Sequence, residues 1–265
     1  MNAFRSDFDT DGMNLTFRPI RLPLLCFIMA GPLLPTVARA EQARMAIAAN
    51  FIGPTKELIA DFMQKTGDVI IPSFGSSGQF VIQIEQGAGY DGFLSADEAK
   101  PEKLLKDGFG VEKSQFTYAI GKLVLWSNTP AYPASESTLR AARFSHLALC
   151  KPDVAPYGAA AVATLKQLRL EQILQPRIVM GLDIAQAYQF VQSGNAELGF
   201  VALSQLHNKS AGTIWVVPSN LYPPIHQNAL LLRQGEQNHV ARAFLAYLQS
   251  KPAQAIIATY GYDMP

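Results

Sequence analysis

The sequence predicts an α/β fold of two lobes, the second inserted into the first, and two observations carry that expectation. Short β-rich apolar runs alternate with stretches whose apolar residues recur at helical spacing, the pattern of mostly parallel sheets covered by helices on both faces. The alternation occurs in two successive sets, and a proline-rich stretch at 218–224 then leads back to one more apolar run at 228–232. A chain of 265 residues is long enough to give each set a core of its own. Crossings between the lobes fall near 119–123 and 218–226, and a cleft between lobes is where such sheets bind ligands.

In the first set, the apolar run 45–49 precedes a helix over 54–65, with Pro54 suited to a first turn and Leu58, Ile59, Phe62 and Met63 at helical spacing. A strand at 69–74, a helix over 79–86, a strand at 91–95 and a helix over 99–106 follow. The second set opens with a strand at 121–126. It continues through a strand at 147–150, a helix over 159–168, a strand at 177–180, a helix over 185–192 and strands at 198–202 and 214–217. After the return strand, an amphipathic helix over 240–249 carries Phe244, Leu245 and Leu248. The lobes are thus expected at 41–121 with 223–265, and at 122–222.

Residues 1–40 read as an export signal. An apolar stretch follows Arg18 and Arg21 and ends in Ala38-Arg39-Ala40, an A-x-A cleavage pattern. It is short and broken by prolines, unlike a membrane-spanning helix. Asp7, Asp9 and Asp11 are unusual ahead of such a signal, which makes Met13 a candidate start. Cleavage after Ala40 would leave 18 basic and 18 acidic residues, a neutral balance that argues against nucleic-acid binding. Cys26 lies in the signal without a lipobox, so Cys150 alone would remain and no intramolecular disulfide could form. These features point to the periplasm. His146, His207, His226 and His239 are scattered without metal-ligand spacing.

The stretch Phe74-Gly75-Ser76-Ser77-Gly78-Gln79 invites three chemical readings. A nucleophile elbow needs G-x-S-x-G, but the second glycine comes one residue early, and spacing nominates no histidine partner. A phosphate loop fails for want of its lysine. An anion cradle requires only small residues before a helix, whose first amides lack intrahelical acceptors and carry positive partial charge. Four turns fit that description: Ala49-Asn50, Ser76-Ser77-Gly78, Pro156-Tyr157-Gly158 and Asp183-Ile184. Each taken singly also fits an ordinary helix cap, since Ser, Asn and Asp are favoured there.

The segments "AIAANF", "SFGSSGQFVIQIEQGA", "DGFLSAD", "KPDVAPYGAAA", "AELGFVALS" and "VVPSNLYPPI" together resemble the periplasmic molybdate-binding proteins of ABC transporters, in order from about Ala43 to Tyr262. The resemblance implies a type II periplasmic binding fold, with two mixed, mostly parallel sheets flanked by helices. It implies no enzyme activity and no cofactor. The ligand would be molybdate or tungstate, passed by a monomer to an inner-membrane ABC permease. Molybdenum would enter only as its oxyanion, held by neutral donors and no cation ligands. Carried onto this chain, the resemblance implies Asn50 with the Ala49 backbone, the Ser77 hydroxyl and amide, and the backbone amides of Tyr157 and Ile184, side-chain identity mattering little at the last two. Ser76, Gly75 and Gly78 would support the turn, the glycines giving the backbone room to approach the anion.

Three departures from the family pattern stand out. Ala202 occupies a position where some members donate a tyrosine hydroxyl, and Asn50 stands as the replacement. Gly92 replaces a β-branched residue before "FLSAD", and "CKPDVAPYG" lacks an acidic-histidine pair before its proline. The alternatives are another tetrahedral oxyanion or small anionic solute in the same cleft, and, from a different class, a secreted serine hydrolase acting through Ser77.

Overall fold

The computed structural model describes residues 41–208 and 212–265; the expected export signal, its cleavage site and Met13 lie outside them. The strands are β1 (Gln42–Ala48), β2 (Val69–Gly75), β3 (Gly92–Ser95), β4 (Phe116–Gly121), β5 (Leu123–Ser127), β6 (Leu147–Cys150), β7 (Ile178–Gly181), β8 (Leu198–Ala202), β9 (Thr213–Val216) and β10 (Ile225–Leu231). The helices are α1 (Ile52–Thr66), α2 (Ser77–Glu85), α3 (Ala99–Lys106), α4 (Glu136–Ala141), α5 (Pro156–Gln167), α6 (Glu171–Leu174), α7 (Ile184–Gln192), α8 (His239–Leu248) and α9 (Lys251–Thr259).

Two five-stranded sheets result, with orders β2-β1-β3-β10-β4 and β7-β6-β8-β5-β9. Within each, the first three strands are parallel and the fourth is antiparallel to both neighbours. Four of the five strands therefore point one way, and the reversed strand, β10 or β5, is the one that follows a crossing. The expected strand at 121–126 is β5, which begins at Leu123; a further strand, β4, precedes it and ends at Gly121, and the two join different sheets.

Strand β1 shows why the sheets are covered on both faces. Met45 and Ile47 pack with Phe51, Leu58, Phe62 and Phe244 on one side, while the intervening Ala46 packs with Phe80, Phe93 and Leu230 on the other. A run that is apolar at every position is what two buried faces require. Gly92, opposite Met45 in β3, fits the same crowding: a Cβ there would come within 2.8 Å of the Met45 sulfur. The glycine and the long, flexible methionine fill the space together. The second lobe is built around Trp126, Phe200, Leu149 and Leu165, and its core reaches Ala48, Ala49 and Ala96 of the first lobe.

Candidate functional site

The C-terminal ends of β1, β2, β6 and β7 each lead to a helix start, directly or, for β6, through a short segment at 151–155, as open sheets do where they bind ligands. β1 leads into a 3-10 turn at Ala49–Phe51, and β2, β6 and β7 lead to α2, α5 and α7. All four starts meet at a cavity of about 10 Å³, room for about one small body. Its lining includes Ala49, Asn50, Ser77, Tyr157 and Ile184, together with Gly75 and Ser76, so the structure gathers from both lobes the residues that the sequence nominated. The five are each at most 3% exposed. Gly78 is not part of this lining.

The capping pattern separates an ordinary cap from a cradle. Ser76 Oγ accepts from the Gln79 amide at 3.4 Å, and Asp183 Oδ1 accepts from the Gln186 amide at 2.9 Å. The other two starts have alanine at the N-cap, Ala48 and Ala155, with no side-chain oxygen to offer. Pro156 has no N–H, and the Gly158 amide donates to the Ala155 carbonyl at 2.9 Å. No turn or cap acceptor among the described residues takes the amides of Ala49, Asn50, Ser77, Tyr157 or Ile184. Buried amides without acceptors are costly unless something supplies an oxygen.

Ser77 adds a side-chain donor. Its Oγ accepts from the Ala96 amide at 3.0 Å, which fixes the oxygen and leaves the hydroxyl proton to point into the cavity. No Lys, Arg or His lines the cavity; Asp183 is its one carboxylate, and that side chain faces its own helix as a cap. Positive potential here comes from helix starts alone. No histidine is among the described residues that line the cavity beside Ser77.

The Asn50 side chain departs from the role expected of it. Its Nδ2 donates to Gln227 Oε1 at 2.7 Å and to the Tyr262 hydroxyl at 2.9 Å, so both amide protons are engaged away from the cavity. The Asn50 carbonyl accepts from Ser204 Oγ of the second lobe at 2.8 Å. Asn50 is therefore a knot between lobes, and what it can offer a ligand is its backbone amide. Ala202, fully buried at the end of β8, does not line the cavity.

The Tyr157 side chain, expected to matter little to the ligand, lies against the first crossing between lobes. The ring is buried, and a Cβ at Gly121, where β4 ends at the first crossing, would lie 2.1 Å from the Tyr157 hydroxyl. That hydroxyl makes no hydrogen bond of good geometry among the described residues, although the Tyr262 hydroxyl lies near it. Burial, and then the nearby Tyr262 hydroxyl, push its pKa well above the usual phenol value; burial raises that of Tyr262 to about 12, so both remain neutral donors. The sequence offered no local signal for Tyr262 or Ser204, which act across long separations. Gln227 left none either, since it stands between His226 and Asn228, outside the apolar run at 228–232.

A larger cavity of about 490 Å³ adjoins the site and shares Ala49 and Asn50, but is otherwise lined by side chains such as Lys56, Glu57, Tyr188 and His207. The first residues of α2, α5 and α7, Ser77, Pro156 and Ile184, line only the smaller of the two.

Residues 43–263 match the family model for bacterial extracellular solute-binding proteins. The chain belongs to that family. Among its relatives are the molybdate-binding proteins ModA of Azotobacter vinelandii, 44% identical over 92% of this chain and 98% of the relative, and of Rhodobacter capsulatus, 45% identical over 89% and 92%. The solved structure of the Azotobacter vinelandii periplasmic molybdate-binding protein superposes on this solute-binding protein with a TM-score of 0.82 at 40% identity, covering 84% of this chain and 99% of that one. The two-lobed type II fold is thus that of a binding protein for a small extracytoplasmic solute.

Proposed function

We propose that this solute-binding protein captures molybdate or tungstate outside the cytoplasm and delivers it to an ABC permease. The observation that carries this reading is the convergence of four helix starts from both lobes on one cavity without a cationic side chain. Such a site suits a dianion whose charge is spread over four oxygens, each able to accept from amides at a set distance. Its donors are the amides of Ala49, Asn50, Ser77, Tyr157 and Ile184 and the Ser77 hydroxyl. Relatives at 44% and 45% identity that bear the name molybdate-binding protein support the choice of ligand. The lobes divide as 41–121 with 223–265 and 122–222, and the protein works as a monomer without a cofactor or catalytic step.

Selectivity follows from rigidity. Sulfate has the same charge and shape with a smaller radius, so amides fixed by helices would leave some donors unpaired around it. Each hydrogen bond to the charged ligand contributes roughly 1.5–3 kcal/mol. Five or six of them, less the costs of desolvation and closure, are compatible with about micromolar or tighter affinity. Calorimetry of the protein lacking residues 1–40, titrated with molybdate, tungstate, sulfate and phosphate, tests this. Molybdate and tungstate are expected to bind alike and sulfate far more weakly. Binding of sulfate, phosphate or another solute with no heat from molybdate or tungstate would refute the assignment.

A further inference from the structure

Gly78 was expected to give the backbone room to approach the anion, yet its contact lies elsewhere. Its amide donates at 2.8 Å to the carbonyl of Val154, in the segment between β6 and α5 of the other lobe. A Cβ on Gly78 would stand 2.8 Å from the Val154 Cα and 3.0 Å from its Cβ and its carbonyl oxygen. The close approach is therefore backbone against backbone, across the cleft, where neither side has a flexible side chain that could turn away. Gly78 does not have positive φ, so its own backbone would accept alanine without strain. Its lack of a side chain answers to the other lobe alone.

We propose that Gly78 is the stop on which the cleft closes, positioning the two halves of the oxyanion site at a fixed separation. The inference rests on the oxyanion reading above and names a residue that sets the cavity's size without touching the ligand. Ser77 and Gly78 are neighbours with divided duties: the Ser77 amide and hydroxyl face the cavity, while the Gly78 amide is consumed by Val154. Tyr157 lies three residues beyond Val154, so the contact ties a donor of one lobe to a donor of the other through a few rigid bonds. A smaller anion cannot draw the lobes closer, because two backbones already meet. A side chain at position 78 would hold the lobes apart and lengthen several donor distances together.

The test is Gly78→Ala. Alanine favours a helical first turn over glycine, so the ligand-free variant is expected to melt no lower than wild type. Calorimetry is expected to show molybdate affinity reduced at least tenfold. Spin labels on Gln86→Cys and Gln167→Cys, exposed positions at the far ends of α2 and α5, read the lobe separation directly. The shortest distances populated by wild type are expected to be missing in Gly78→Ala, with or without molybdate. Equal distance distributions, or unchanged affinity, would overturn the stop. A wild type that gives no heat with molybdate would sink the oxyanion reading instead, and the label distances of the two proteins would still decide the fate of Gly78. A lowered melting temperature of the ligand-free variant would also count against the proposal, since the residue would then serve the lobe and not its closure.

Discussion

The two lobes share one strand order and one way of ending strands in helix starts, yet they furnish the site differently. The first lobe brings a side chain, the Ser77 hydroxyl held by the Ala96 amide, and an asparagine whose amide group is spent on structure. The second brings main chain alone, the first free amides of α5 and α7. Their caps differ in parallel: each lobe has one start capped by a side chain and one with alanine at the cap. The lesson is that one topology produces convergent amides twice, because they come from where strands end. Side chains can then be assigned to chemistry in one lobe and to packing in the other.

The sharpest way to break this contrast is Ser77→Ala. It removes the one side-chain donor in the site, and a hydrogen bond to a charged group is worth about 1.5–3 kcal/mol, so molybdate affinity should fall roughly 10- to 150-fold by calorimetry. Retained affinity would mean that the first lobe also works by main chain alone. Asn50→Ala separates structure from binding. It leaves Gln227 Oε1 and the Tyr262 hydroxyl without their shared donor in a buried setting, and should lower unfolding free energy by about 1–3 kcal/mol in a denaturant titration. Any loss of affinity should follow from disturbed lobe contact, because the backbone amide persists; a large affinity loss with stability intact would restore the side chain as a donor. The smallest effect is expected for Tyr157→Phe. The hydroxyl it removes makes no hydrogen bond of good geometry, and the amide offered to the ligand is main chain, so affinity should change less than about threefold, with little change in melting temperature. A marked loss of affinity would show that the second lobe too contributes a side chain.

Much of the site was legible because the turns that make it are short and local. Small or capping residues just after an apolar run and just before a helix can be read one turn at a time, and all five nominated residues sit at the cavity. Element edges were read less well. Helix α2 begins at Ser77 and α5 at Pro156, two and three residues earlier than periodicity indicated, because first turns need not contribute to an apolar stripe. Helix α9 was passed over although Ser250 and Pro252 mark its start, with Ser250 Oγ accepting from the Ala253 amide at 3.4 Å. The break between β4 and β5 at Gly121-Lys122 falls inside the crossing read near 119–123, but β4 itself has no separate signal in the sequence, because each strand is specified by the sheet it joins.

By itself, the sequence determined the α/β alternation, the apolar faces and the turns at which amides are left free, because these depend on residues a few positions apart. Only the tertiary structure decided which groups those turns would serve. The Asn50 side chain is claimed by Gln227 and Tyr262, 177 and 212 residues away, and the Gly78 amide by Val154 across the cleft. A donor's local geometry says that it must find an acceptor; which acceptor it finds depends on which distant backbone the fold brings within 3 Å.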